Sequence, residues 1–250
     1  MTTPIARSAR AAFSLIELLV VIAIISILAS LLIPAISRAK TAQKIAQARL
    51  EMGMLATAIS KYETTYGRMP VSKLAVDRAA PAKDDFTYGG SVLSAAMGPG
   101  NWISDNNEVI AILLDLERYS DGTPTINLGH VKNPNHDVSW NVRMVDNPSF
   151  PGVGPDGIYR DPWGTPYIIS FDLNNDDKCR DAFYRLQSVS KATNQTGING
   201  LFNSIDPVGA GDHFEHHGPV MIWSAGPDKM IDPTKRANEG VNKDNVLSWK

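Results

Sequence analysis

An α+β fold, with one long N-terminal α-helix packed on a small antiparallel β-sheet and long loops between, follows from three features of the 250-residue sequence. The first is the almost wholly apolar run "AAFSLIELLVVIAIISILASLLIP" over residues 11–34. The second is an apolar stripe at helical spacing over residues 45–66. The third is a set of short β-rich stretches in the second half, Tyr167 to Phe171, Phe183 to Val189 and "PVMIWSAG" ending at Gly226. At 43% hydrophobic and 20% charged residues the chain can bury a substantial core.

The first run sets the organisation. From Leu18 to Ile33 no residue is charged, and with Phe13 to Glu17 the stretch reaches the roughly 20 residues needed to cross a bilayer. A transmembrane helix over 13–33 is therefore expected. Arg7 and Arg10 precede it without any acid, which by the positive-inside rule keeps the N-terminus in the cytoplasm and sends the rest across. A secretory signal peptide also pairs basic residues with an apolar run, but its apolar part spans only about 7–15 residues. Here the run continues into a helical pattern.

Past Pro34, Ile45, Ala48, Met52, Leu55, Ile59, Tyr62 and Tyr66 follow one another at spacings of three and four, one stripe of an amphipathic helix. Lys44, Gln47, Arg49, Glu51, Lys61 and Glu63 fall mostly on the other faces, and Gly67 and Pro70 supply stop signals. If Pro34 only kinks the chain, residues 13–66 form one helix about 80 Å long. The globular part is then 67–250, with a loop-rich stretch over about 70–155. Within it "SDNNEVIAILLDLERYSDG" predicts a helix capped by Ser104 or Asp105, with Ile110, Leu113, Leu114 and Leu116 on its apolar face. The three β-rich stretches predict an antiparallel meander that accepts the stripe. In "DPWGTPY", Pro162 and Pro166 fix φ, Gly164 permits a turn and Trp163 anchors, so the segment reads as a structural corner.

Composition narrows the function. A formal net charge of −2 with no basic or acidic tail makes no case for a nucleic-acid partner. Cys179, the single cysteine, excludes an intrachain disulfide framework and reads as a small semi-buried side chain. "DLNNDDKCRD" places Asp172, Asn174 and Asp176 at alternating positions, as in a calcium loop. Asp177 stands where such a loop has Gly and Phe183 where it has its closing acid, so a hairpin turn fits better. "GDHFEHHGP" puts His213 and His217 at i, i+4 beside His216, a pairing that on a helix would suit a transition metal, though a short Gly-bounded polar loop is the simpler reading. With no nucleophile elbow, phosphate loop or HExxH helix, enzymatic activity has no positive support.

Phe13 following Ala12, Glu17 five residues in counting from Phe13, and Pro34 as the twenty-second together resemble the N-terminus of type IV pilins and type II secretion pseudopilins. "DPWGTPY" and "WSAGPD" resemble the C-terminal region of the major pseudopilin. The resemblance implies a leader over 1–12, cleavage by a prepilin peptidase between Ala12 and Phe13, and N-methylation of Phe13. Ala12 stands where the family usually has Gly. It further implies a non-enzymatic, inner-membrane, single-pass subunit with a periplasmic domain, polymerising into a helical fibre that supports protein export. The partners it implies are other copies of the chain, an assembly platform with its ATPase, and minor pseudopilins. Glu17 and Pro34 become assembly residues, Glu17 by pairing with the new amine of Phe13 in the same or an adjoining subunit. A structural calcium ion is implied in the C-terminal loops, with Asp228, Asp232 and Asp244 as ligand candidates; the residues themselves add Ser224 as a further hard oxygen donor, and solvated turn aspartates are the alternative reading. A type IV pilus subunit for adhesion, motility or DNA uptake remains the main alternative function. A membrane-anchored metal-dependent enzyme using His213, His216 and His217 remains a more distant one.

Overall fold

The computed structural model describes residues 14–80, 84–138 and 140–250. The expected leader and the Ala12–Phe13 junction lie outside these residues. The chain divides into two compact units, 1–43 and 44–250. Helix α1 (Leu15–Tyr66) runs through both, with Pro34 inside it.

Within the first unit, α1 is apolar on every side from Leu18 to Ile36 apart from Ser26 and Ser30. Every large hydrophobic side chain from Leu15 to Ile36 is exposed, and the segment is long and apolar enough to cross a membrane. Its few polar groups are satisfied within the helix. The Ser26 hydroxyl donates to the Ile22 carbonyl at 2.7 Å and that of Ser30 to Ile27 at 2.7 Å, as a hydrocarbon environment requires.

The second unit is built on the stripe. Ala48, Met52, Leu55, Ala58, Ile59 and Tyr62 are buried, with Ile45 and Tyr66 at the margin. At about 1.5–3 kcal/mol for each large side chain taken from water, this face is a major contribution to the core. The remaining elements are α2 (Lys73–Ala79), β1 (Phe86–Tyr88), α3 (Gly90–Met97), α4 (Asn107–Leu113), β2 (Gly152–Val153), β3 (Tyr159–Arg160), β4 (Ile168–Phe171), β5 (Lys178–Cys179), α5 (Gln187–Ser190), β6 (His216–His217), β7 (Val220–Ser224) and β8 (Val246–Leu247). The main sheet is antiparallel in the order β1-β4-β7-β8, while β2-β3 and β5-β6 form two-stranded pairs.

Both faces of the main sheet are buried, so its strands are mostly apolar, and the buried Thr87 and Ser170 hydroxyls between them bond to each other. Ile169, Phe171 and Ile222 face the cluster that contains the α1 stripe. Ile168, Met221, Trp223 and Leu247 face a second cluster with Cys179, Phe183, Tyr184 and Phe214.

Three expectations are corrected. Phe183 to Val189 is not a strand. The buried Asp181 carboxylate accepts from the Phe183 and Tyr184 amides at 2.9 and 2.8 Å, which turns the backbone and sends both rings against Trp223. The sheet is therefore no simple meander: β1 comes from the stretch read as loop, and β8 forms the far edge. Helix α4 is shorter than expected, and its N-cap is Asn106. The Asn106 side chain instead bridges the Tyr159 and Tyr167 backbones, and Asp115 ends the helix in a left-handed conformation, φ 54°.

"DPWGTPY" is the expected corner. Gly164, at φ 85°, closes a turn onto the Asp161 carbonyl. The Asp161 carboxylate accepts from the Trp163 and Thr165 amides, both at 2.9 Å. Tyr167 ties the corner to α1 by donating to Glu51 at 2.6 Å.

Candidate functional site

The start of α1 is fixed by its own side chains. Ser14 precedes the first helical residue, and its hydroxyl accepts from the Glu17 amide at 3.2 Å. The Glu17 carboxylate reaches back to accept from the Ser14 amide at 2.9 Å. This reciprocal pair is a capping box, which satisfies two of the orphan amides at a helix start. Glu17 also places negative charge at the positive end of the helix dipole. Sequence reasoning singled out Glu17 as a charge in an apolar run but missed its partner, although Ser14 and Glu17 at three-residue spacing carry the signal. Pro34 is carried inside the helix and leaves the Ser30 carbonyl without its usual amide donor.

At the opposite end of the chain, the pairing of β7 with β8 sets Ser224 against Val246 and brings the loop after β7 beside the loop before β8. Gly226, at φ 73°, lies so close to the Asp244 carbonyl that a Cβ there would sit at 2.3 Å. Asp228 and Asp244 are thus neighbours. Burial pushes the Asp244 carboxyl up, and the charge of Asp228 adds to the push. Asp244 Oδ1 is buried without a hydrogen-bond partner. The other two candidates have local work: Asp232 Oδ1 accepts from the amide and hydroxyl of Thr234 at 2.8 and 2.7 Å, and the Ser224 hydroxyl donates to Asp161 and accepts from the Gly226 amide.

The remaining candidates resolve differently. Asp172 accepts from the amides of Asn175 and Asp177 at 2.6 and 2.9 Å, so its loop is a turn held by its own carboxylate. It does not close a hairpin between neighbouring strands, because β4 pairs with β1 and β7 while β5 pairs with β6. His216 and His217 lie on β6 and so take opposite sides of a strand, with no helix to align His213 with His217. Between them and His213, the buried Glu215 carboxylate pairs with Arg180 at 2.8 Å.

A cluster absent from the sequence reading forms where the chain leaves α4. Both imidazoles of His130 and His136 aim Nδ1 at the Asp115 carboxylate, at 2.8 and 3.0 Å. Burial works to raise the Asp115 carboxyl, but hydrogen bonds from His130, Asn127 and His136 outweigh it and hold the group below its usual range. The one sequence hint is two histidines flanking "VKNPN", with an aspartate fifteen residues earlier, a spacing that matches no metal template.

Comparison with known proteins adds one match. Residues 7–33 fit the family model of the prokaryotic N-terminal methylation motif. No curated protein and no solved structure matches the chain. The motif supports a type IV pilin-like protein, a class of structural subunits cut by a prepilin peptidase and assembled into fibres. Together with the apolar segment of α1, the one membrane-length helix among the described residues, it supports a membrane-anchored, single-pass chain.

Proposed function

We propose that this chain is the major subunit of a type II secretion pseudopilus, held in the inner membrane by α1, with its 44–250 unit in the periplasm, before joining a fibre that supports export. The observation that carries the reading is the helix start: a prepilin-type motif over 7–33 leading into an apolar surface from Leu15 to Ile36 that stays exposed among the described residues. Such a surface needs lipid or other apolar helices around it. In a fibre core the amine freed at Phe13 meets Glu17 of the same or an adjoining subunit, so that a carboxylate otherwise costly among apolar helices is paired and fixes one axial register. Assembly draws on a platform with its ATPase and on minor pseudopilins. "DPWGTPY" and "WSAGPD" favour the secretion branch over a type IV pilus.

N-terminal sequencing of the mature chain is expected to begin at methylated Phe13. An intact Met1 in cells with active prepilin peptidase overturns the assignment. Deletion of the gene is expected to trap exoproteins in the periplasm. Normal export with lost surface fibres moves the chain to the pilus reading.

We also propose a structural calcium ion between Asp228 and Asp244. Hard carboxylate oxygens in irregular loops suit this ion. The unpartnered, buried Asp244 Oδ1 and the like charge beside it fit a cation placed between them. Asp232 and Ser224, committed to Thr234 and Asp161, fit less well.

A further inference from the structure

We propose that Asp115, His130 and His136 form a second metal site, for a divalent transition ion of the zinc type, chemically distinct from the calcium position in the C-terminal loops. Two imidazoles and one carboxylate are borderline donors that suit zinc far better than calcium, which takes oxygen alone. One ligand atom from each residue can be chosen so that all three lie within 4.8 Å of one another. His130 Nδ1 is 2.8 and 3.0 Å from the two Asp115 oxygens, and His136 Nδ1 is 3.0 Å from Oδ2. Zinc bonds of about 2.0–2.2 Å set neighbouring ligands roughly 3.3 Å apart in a tetrahedron, so an outward shift of a few tenths of an ångström admits the ion.

The groups behind the three donors are arranged as a ligand set needs. His130 turns its other nitrogen, Nε2, toward Glu117 at 3.2 Å. A carboxylate behind a histidine orients the ring and leaves the opposite nitrogen free to bind metal. The Asp115 carboxylate is itself held by Asn127 Nδ2 at 2.9 Å. Asn127 Oδ1 in turn accepts from the Lys132 and Asn133 amides, and Asn133 accepts from the Tyr66 hydroxyl at 2.6 Å, which anchors the loop to the end of α1.

The backbone points the same way. Asp115, His130 and His136 all have positive φ, 54°, 55° and 53°, a conformation uncommon for residues other than glycine. Three such residues converging side chain to side chain mark a constrained arrangement. The imidazole rings are packed with centroids 3.8 Å apart, both nitrogens directed at one point. The His136 side chain is 59% exposed, so the site opens to solvent with a position left for water.

The test uses the full-length protein in detergent micelles, stripped of metal and titrated with Zn²⁺ alone and with Co²⁺ alone. One zinc per chain with micromolar or tighter affinity is expected, together with Co²⁺ visible absorption typical of nitrogen and oxygen ligation. His136→Ala, at an exposed side chain, should keep the native near-ultraviolet circular dichroism and weaken zinc at least 30-fold. Asp115→Asn, which can keep a contact with Asn127, should do the same. Glu117→Gln should weaken zinc about tenfold. The double change His216→Ala with His217→Ala should leave affinity unaltered. Zinc binding weaker than 100 μM, less than threefold loss in His136→Ala and Asp115→Asn, or loss in the His216 and His217 variant would each overturn the site.

Discussion

On the proposed reading Glu17 serves two purposes that one atom separates, of which the structure shows the cap. As a cap it needs only an acceptor oxygen for the Ser14 amide, which glutamine also supplies; as an assembly residue it needs its negative charge. Glu17→Gln is therefore expected to keep the first turn of α1, read by amide hydrogen exchange in micelles, yet fail to form fibres. Glu17→Val should lose both, and normal fibres from the Gln variant would leave the cap as the only role. Asp85 carries a different signature. Burial pushes its carboxyl up to about 7, against the pull of the Arg180 and Leu173 amides. An unfolded aspartate releases its proton near pH ~4. The stability tied to the protonated Asp85 is therefore fully present below that pH and lost as pH rises through about 7. The thermal midpoint is expected to fall by several degrees between pH 5 and 8, and this slope should flatten in Asp85→Asn. At this scale, single charges out of place were legible in the sequence, because an acid in an apolar run has no ordinary reason to be there. Asp115 was not legible, because its partners come together only through left-handed turns that no residue pattern announces.

Among the elements, α1 shows how far periodicity reaches. Its three-and-four spacing marked the buried stripe correctly, since a 3.6-residue repeat places those side chains on one face whatever covers them. Leu55→Ala is expected to destabilise the 44–250 unit by about 2–5 kcal/mol, while Leu50→Ala, 64% exposed on the same helix, should stay within about 0.5 kcal/mol. Denaturant unfolding followed by tryptophan fluorescence distinguishes the two. Tyr167→Phe removes a hydrogen bond to the Glu51 carboxylate and should cost about 1–3 kcal/mol by the same measurement. Short strands escaped the reading where a side chain overrode the backbone. Phe183 to Val189 has strand composition, yet Asp181 captures the amides a ladder would need. Conversely β1, three residues inside polar surroundings, is a strand because β4 offers it an edge, with Thr87 and Ser170 hydroxyls bonded at 2.8 Å.

For the whole molecule, the proposed calcium ion gives a chelator response of its own. Removing calcium with a calcium-selective chelator is expected to lower the thermal midpoint of the wild type and leave Asp244→Asn unmoved. In the absence of calcium, Asp244→Asn should be the more stable chain, because it removes the repulsion with Asp228. A wild type indifferent to the chelator removes the calcium site. The sheet has a further consequence, in time rather than energy. Its strands at 86–88, 168–171, 220–224 and 246–247 pair across long stretches of chain, as with Phe86 against Phe171 and Ile168 against Trp223. Each closure must precede any reward in contacts, which slows folding relative to helical proteins of similar size. Helix α1 can wind within microseconds, whereas the sheet that covers its stripe assembles much later. A newly made chain thus passes through an interval with its stripe bare, when proteases and other unfolded chains compete with its own strands for that surface.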